Sequence, residues 1–423
     1  MMPSDLKFAK LFAGSGAVTL FNALRACAIN KLLAIFLPPA AFACVGQFLN
    51  LMSIGSATSS LALQNGWTAL TAQNKGNREK LLGIWRGGLR LTTFASLLTF
   101  VVALLFCFMA PLESLLPGVP TRLAQAAILF ALPGVFATNI ISISAAVMNG
   151  LGENRKWALI NMVTSVWQVL WVAFFLYTGR LSVLSIIATQ SVVAAIFAIQ
   201  ISSRAGFSVK QIWKTALDTR GPWLSYALMG LVPMVLSPLV LTVMRMTVAS
   251  NFGNDAAGIW QSVWKVSDFL FMAMSAILTV IILPRVSSKM SRVDFFRMFH
   301  PLLFRIMGIS LAMVAALYFG RGILVQVLFS QAYMGAVDYL PLQLVGDFFR
   351  AGGFALALVL IARTETKSFL AVEIASEILL AVGTFVGIKL VEFNGPMAAY
   401  AFENFVYFVV LYILVRRLKW NTP

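Results

Sequence analysis

Residues 259–288, IWQSVWKVSDFLFMAMSAILTVIILPRVSS, set the terms on which the whole chain is read. Lys265 and Asp268 lie three residues apart in this stretch, one helical turn, so both project from the same face. Phe269 to Leu283 carries no charge. With the uncharged residues around Trp260 to Trp264 it is long enough to cross a hydrocarbon core of about 30 Å. The stretch therefore reads as a spanning helix with a charge pair inside it. Ionisable side chains at that depth are costly unless they face protein or a wet cavity, so they mark function more often than accident.

Composition agrees. Of 423 residues, 60% are hydrophobic and 11% charged, far from the roughly 25% charged of soluble domains. Working outward from 259–288, hydropathy gives twelve spans of roughly 20 residues, at 11–37, 43–65, 83–110, 122–149, 157–178, 181–202, 223–249, 258–283, 298–319, 340–362, 368–390 and 396–415. The fold class expected is an all-α polytopic membrane protein. The first run, Leu11 to Leu37, contains Arg25 and Lys31 and no small-residue cleavage site, so it reads as a retained helix. The loops are too short for a globular extramembrane domain.

Basic residues fix an orientation. They crowd alternate connections (Lys75, Arg78 and Lys80; Arg204 to Arg220; Arg285 to Arg297; Arg416 and Arg417), while Arg122, Arg180, Arg321 and Lys389 make up the other set. By the positive-inside rule both termini are cytoplasmic. Much of the net charge of +17 is thus topology. Dispersed over loops, it forms no dense tract for nucleic acid.

The basic loop Arg204 to Arg220 reads as a short amphipathic helix on the membrane surface and divides the spans six and six. The domains expected are an N-terminal lobe at 1–203, this linker at 204–221 and a C-terminal lobe at 222–423. Sliding one half over the other by roughly 212 residues places Gln47 against Gln261, with Arg90 near Arg305 and Lys156 near Lys367. Parallel six-helix repeats of this kind place a substrate between the halves.

The charges inside the spans are Arg25, Lys31, Arg86, Arg90, Arg245, Lys265, Asp268, Arg305, Asp347, Arg350, Glu373, Glu377 and Glu403. Cations are in excess, and arginine in low dielectric needs an oxygen-rich partner such as phosphate or carboxylate. Substrate-binding roles are assigned to Arg25, Lys31, Arg245, Lys265, Arg305 and Arg350. Coupling or charge balance is assigned to Asp268, Asp347, Glu373, Glu377 and Glu403. Plainer alternatives stand beside these. Arg86, Arg90 and Arg305 lie near the cytoplasmic edge, where they can snorkel, and Lys265 with Asp268, like Asp347 with Arg350, can be a self-neutralising pair. Glu373 and Glu377 share one face and repel each other, so at least one of them is protonated or paired with a cation from another helix. Pro133-Gly134, Pro233, Pro238 and Gly352-Gly353 are candidate bends.

Cys27, Cys44 and Cys107 lie in apolar runs with no paired spacing, so neither a disulfide framework nor a metal site is indicated. His300, the single histidine, reads as an interfacial residue beside Arg297 and Pro301. No GxxxxGK[ST] loop encodes an ATP site, and no cofactor is expected.

Gly258-Ile-Trp-Gln-Ser-Val followed by Val266-Ser-Asp268 and Leu283-Pro284, then Gln343-Leu-Val-Gly-Asp347 and Leu360-Ile-Ala362, resembles the lipid III flippases of enterobacterial common antigen synthesis. More widely, the chain is similar to the Wzx-type polysaccharide flippases of the multidrug/oligosaccharidyl-lipid/polysaccharide exporter superfamily. Lys31-Leu-Leu-Ala34 and the turn at Pro39-Ala40 fit the same pattern, whereas Trp264-Lys265 and Gly352-Gly353 depart from it. The resemblance implies a V-shaped exporter fold with two six-helix lobes, and carries a role over to Lys31, Asp268 and Asp347. It implies an undecaprenyl-pyrophosphate-linked oligosaccharide as substrate, the bacterial inner membrane as location, and glycan polymerase and chain-length regulator proteins as partners. Two other functions stay open: a multidrug antiporter of the same superfamily, and a membrane-embedded oligosaccharide polymerase or ligase.

Overall fold

A chain that crosses a bilayer must satisfy its own backbone hydrogen bonds, and this one does so with helices. The computed structural model describes residues 3–207, 212, 221–286, 291–363 and 365–418, with no strand among them. In order the helices are α1 (Pro3–Phe36), α2 (Pro39–Ser60), α3 (Gln64–Asn74), α4 (Arg78–Met109), α5 (Leu112–Leu115), α6 (Thr121–Leu151), α7 (Asn154–Thr178), α8 (Val183–Thr189) and α9 (Val192–Ser203). There follow α10 (Gly221–Phe252), α11 (Asn254–Val286), α12 (Arg292–Leu328), α13 (Leu340–Ala362), α14 (Thr366–Val391) and α15 (Gly395–Arg417). The surface helix expected over 204–221 lies mostly outside the described residues.

Local chemistry sets the ends of these helices. Asn77 caps α4 by accepting from the Lys80 amide at 3.0 Å, and Ser291 caps α12 by accepting from the Asp294 amide at 3.2 Å. α6 and α7 stop at Gly152 and Gly179, whose positive φ ends a helix without a Cβ clash. By length and composition, nine helical stretches among the described residues can cross a membrane, and one of them, Thr366–Arg417, holds both α14 and α15. With α1 and α11, which carry Arg25, Lys31, Lys265 and Asp268, all twelve expected spans fall on helix. Two of those spans are broken. The second divides into α2 and α3, and the sixth into α8 and α9.

Neither break falls at an expected bend. Between α2 and α3, Leu61 and Ala62 both take positive φ, at 51° and 50°, a conformation that costs a non-glycine residue about 1–2 kcal/mol. Backbone and side chain share the displaced carbonyls: Ala62 N donates to Ala57 O at 3.0 Å, and Ser96 Oγ of α4 donates to Ser59 O at 3.1 Å. Pro133-Gly134, in contrast, does not interrupt α6, which runs through it. Gly134 instead admits the carbonyl of Ala188 at the end of α8, where a Cβ would collide. Gly352 and Gly353 likewise lie inside an unbroken α13, against the rings of Phe408 and Tyr407.

The chain packs as two units, Met1–Leu32 with Cys44–Leu239 and Leu33–Ala43 with Val240–Pro423. This partition differs from the expected break at 204–221, because α10 as far as Leu239 belongs to the first unit and its first two turns enter that unit's core. Trp223 is fully buried there, its ring 4.6 Å from that of Trp67, and its indole donates to Ile84 O at 3.2 Å. In the second unit the corner at Leu33–Ala43 is held as firmly. Tyr333 OH donates to Leu37 O at 3.0 Å, the Ala40 amide donates to Asp255 Oδ1 at 3.1 Å, and Gly258 lies against the Pro39 backbone, where a Cβ would not fit. His300, at the start of α12, has its Nε2 3.3 Å from Tyr412 OH, in keeping with a role at the end of the bundle.

Candidate functional site

Three helices of the second unit each carry polar residues on one face at helical spacing. On α13 these are Gln343, Asp347 and Arg350; on α14, Glu373, Ser376 and Glu377; on α15, Tyr400, Glu403, Asn404 and Tyr407. α13 and α15 approach closely because Gly346 and Gly353, two turns apart, face Tyr400 and Tyr407, also two turns apart. A Cβ at Gly346 would collide with the Tyr400 ring, and one at Gly353 would lie 2.7 Å from Tyr407 Cδ1. Two phenol hydroxyls are thereby brought inside the bundle.

Each hydroxyl meets a carboxylate. Tyr400 OH donates to Asp347 Oδ1 at 2.8 Å, and Ser267 Oγ of α11 donates to Asp347 Oδ2 at 2.8 Å. Arg350 Nη1 donates to Tyr400 OH at 3.3 Å, so Arg350 reaches Asp347 through a tyrosine instead of forming the i, i+3 pair considered from spacing. Its guanidinium also lies 3.8 Å over the Phe271 ring. Two turns further along α15, Tyr407 OH donates to Glu373 Oε1. Glu403 accepts from Ser376 Oγ and from Asn404 Nδ2 at 2.7 Å.

Arg350 is the electrostatic hub. Its charge acts on Asp347, Glu373 and Glu403, and Asp268 acts on it in turn. Arg350 on α13 is a cation from another helix acting on Glu373, whereas Glu377 adds a like charge beside Glu403. Lys265 Nζ is 3.0 Å from Asp268 Oδ2, so this pair forms as spacing suggests.

Other sequence-selected residues stand apart from the ladder. Arg245 is buried and donates from Nε to Gln261 Oε1 at 3.1 Å, with its guanidinium 5.6 Å from the Trp260 ring. Rings then lead inward from Trp260 to Trp264 at 5.6 Å and on to Tyr400 at 5.0 Å. Arg305 is exposed on α12, beside the highly exposed Phe304, and does not join the ladder. Arg25 and Lys31 belong to the first unit. Arg25 Nη1 donates to Gln168 Oε1, Gln168 Nε2 donates to Ser191 Oγ at 2.9 Å, and Arg25 Nε is buried without a hydrogen-bond partner. Lys31 is half-buried two turns further along α1.

Sequence reasoning did not find Tyr400, Tyr407, Ser267 or Ser376. A signal was present: Tyr400, Glu403 and Tyr407 recur at i, i+3 and i+7 on one helical face, matched by Gly346 and Gly353 on α13.

No family model matches the chain. It is 27% identical over 425 residues to the lipid III flippase of Escherichia coli (strain K12), an alignment covering 97% of this chain and 100% of that protein. The lipid III flippase of Shigella flexneri matches to the same extent. Among solved structures, an inward-facing multidrug resistance MATE family transporter of the MOP superfamily superposes with a TM-score of 0.74 at 14% identity, covering 94% of each chain. A MOP superfamily transporter from Pyrococcus furiosus superposes with a TM-score of 0.68 at 15% identity, over 96% of this chain and 94% of that one. The chain is a polytopic helical membrane protein with the fold of these MOP-superfamily transporters, and over nearly its full length it is similar to the lipid III flippases.

Proposed function

We propose that the protein is a flippase that carries an undecaprenyl-pyrophosphate-linked oligosaccharide, similar to lipid III, from the cytoplasmic to the periplasmic leaflet by alternating access. It works in the bacterial inner membrane with both termini in the cytoplasm. The full-length likeness to lipid III flippases carries this reading, and the membrane-embedded arginines agree with it, since pyrophosphate is the ligand such groups need. Arg25, Lys31, Arg245, Lys265 and Arg350 engage the pyrophosphate and acidic sugars. Arg305 has that role only where its exposed face meets substrate. Asp268, Asp347, Glu373, Glu377 and Glu403 balance the cations in the empty state, and at least one carries a coupling proton. A drug cation would instead meet Arg25 and Lys31 in the first unit, whose spans hold no mid-span acid.

Fluorescently labelled lipid-linked oligosaccharide in proteoliposomes tests the reading directly. The wild type is expected to move it between leaflets. Arg25→Ala and Lys31→Ala are each expected to slow transport by about tenfold to a hundredfold, the worth of one charge-assisted hydrogen bond of ~1.5–3 kcal/mol. Full activity in both variants would remove the cationic contacts from the mechanism, and a wild type that moves no lipid-linked sugar would end the flippase reading.

A further inference from the structure

We infer that engagement of a pyrophosphate by Arg350 is coupled to uptake of a proton by the carboxylates of the α13–α15 ladder, so that the anionic head group and the proton bind together and do not displace one another. The inference rests on the flippase reading for the identity of the ligand, and on the geometry for its sign. Arg350 is partly exposed, and it is the one cation whose charge acts on Asp347, Glu373 and Glu403 together among the described residues. It is bound to Asp347 through a single hydroxyl, that of Tyr400.

The surroundings offer little else to offset added charge. α11 presents Lys265 and Asp268, already 3.0 Å apart as a pair. α14 presents Glu373 and Glu377; α15 presents Tyr400, Glu403 and Tyr407. α12 contributes the apolar Met313, Val314 and Leu317 to the packing around Leu344 and Ala351 of α13. When a multiply charged phosphate takes up the Arg350 field, negative charge accumulates beside these carboxylates in a setting of low dielectric, which favours the protonated form of one of them. The balance is restored by one proton from solvent, which bonds to a carboxylate oxygen. The hydroxyls of Tyr400, Ser267, Tyr407 and Ser376 can each rotate between accepting and donating, so a newly protonated carboxyl still finds a partner. By linkage, if phosphate favours the proton, the proton favours phosphate to the same degree.

Calorimetry of the full-length wild type with geranyl pyrophosphate, in two buffers of different ionisation enthalpy, counts the protons exchanged on binding. The ionisation of the probe itself is measured separately and subtracted. Up to one proton taken up per ligand is expected, with affinity weakening by up to about tenfold per pH unit as pH rises through the linked range. Gly76→Val, where a Cβ meets nothing within 4 Å, should leave the proton count unchanged. Arg350→Gln should abolish it, and Tyr400→Phe, which keeps the ring but cuts the bridge, should reduce it. Proton release, a count of zero, or no binding of the probe would overturn the inference. Its failure is separable from that of the flippase reading, because leaflet-to-leaflet movement of labelled lipid-linked sugar at fixed pH is scored independently of the proton count.

Discussion

Arg350→Gln is expected to abolish transport and to destabilise the protein by about 1–3 kcal/mol, the cost of leaving the buried partner of a charge-assisted hydrogen bond unsatisfied. The loss arises because the donor to Tyr400 OH disappears while Asp347, Glu373 and Glu403 stay in place with no field to offset theirs. Thermal unfolding in detergent reads the stability term, and labelled lipid-linked sugar in proteoliposomes reads the transport term. The double variant Arg350→Gln with Asp347→Asn separates structure from function. Neutralising both partners should recover much of the stability, because a buried pair often contributes little net free energy, yet transport should stay at background. If the double variant transports normally, Arg350 and Asp347 have a structural role only.

Gly346→Val should have the second largest effect. The new Cβ falls on the Tyr400 ring and lies 3.2 Å from Ala401 Cα, so backbone as well as side chain must move. Overpacking of a tight core costs about 1–3 kcal/mol, and here it also draws the Tyr400 hydroxyl from Asp347. Both the unfolding midpoint and transport should fall together. Gly76→Val is the matched control, since a Cβ there meets nothing within 4 Å. Equal behaviour of the two variants would show that the α13–α15 contact is not under packing constraint.

The helical architecture was legible because a bilayer imposes one rule on every span: length and apolarity must match its thickness. Arg25, Lys265, Asp268, Asp347 and Glu403 were legible for the complementary reason, as charges that violate the rule. What escaped was polar chemistry that carries no charge. Tyr400 and Tyr407 are ordinary residues for a spanning helix until Gly346 and Gly353 are seen to make room for them. Breaks were misplaced for a similar reason. Proline and glycine were given weight as bends, whereas α6 absorbs Pro133 within its helix, and the actual discontinuity at Leu61-Ala62 uses neither residue. The carbonyl left over at Ser59 is met by Ser96 of the fourth helix, a pairing with no signature in hydropathy. Arg305 illustrates the converse, for its place in a span gave no indication of which way it faces.

The burial of Trp223 bears on how this protein can be divided. Gly66 and Gly88 are shaped to the rings of Tyr226 and Trp223, so a fragment that stops after the ninth helix would lack two pieces of its own interior. One extended to Leu239 would carry them. Gene fission, chimeras between relatives or expression of half-proteins should therefore be cut inside the tenth helix and not at the loop before it. The seam for exchange is offset from the loop between the ninth and tenth helices, because the tenth helix begins inside the interior of the first unit.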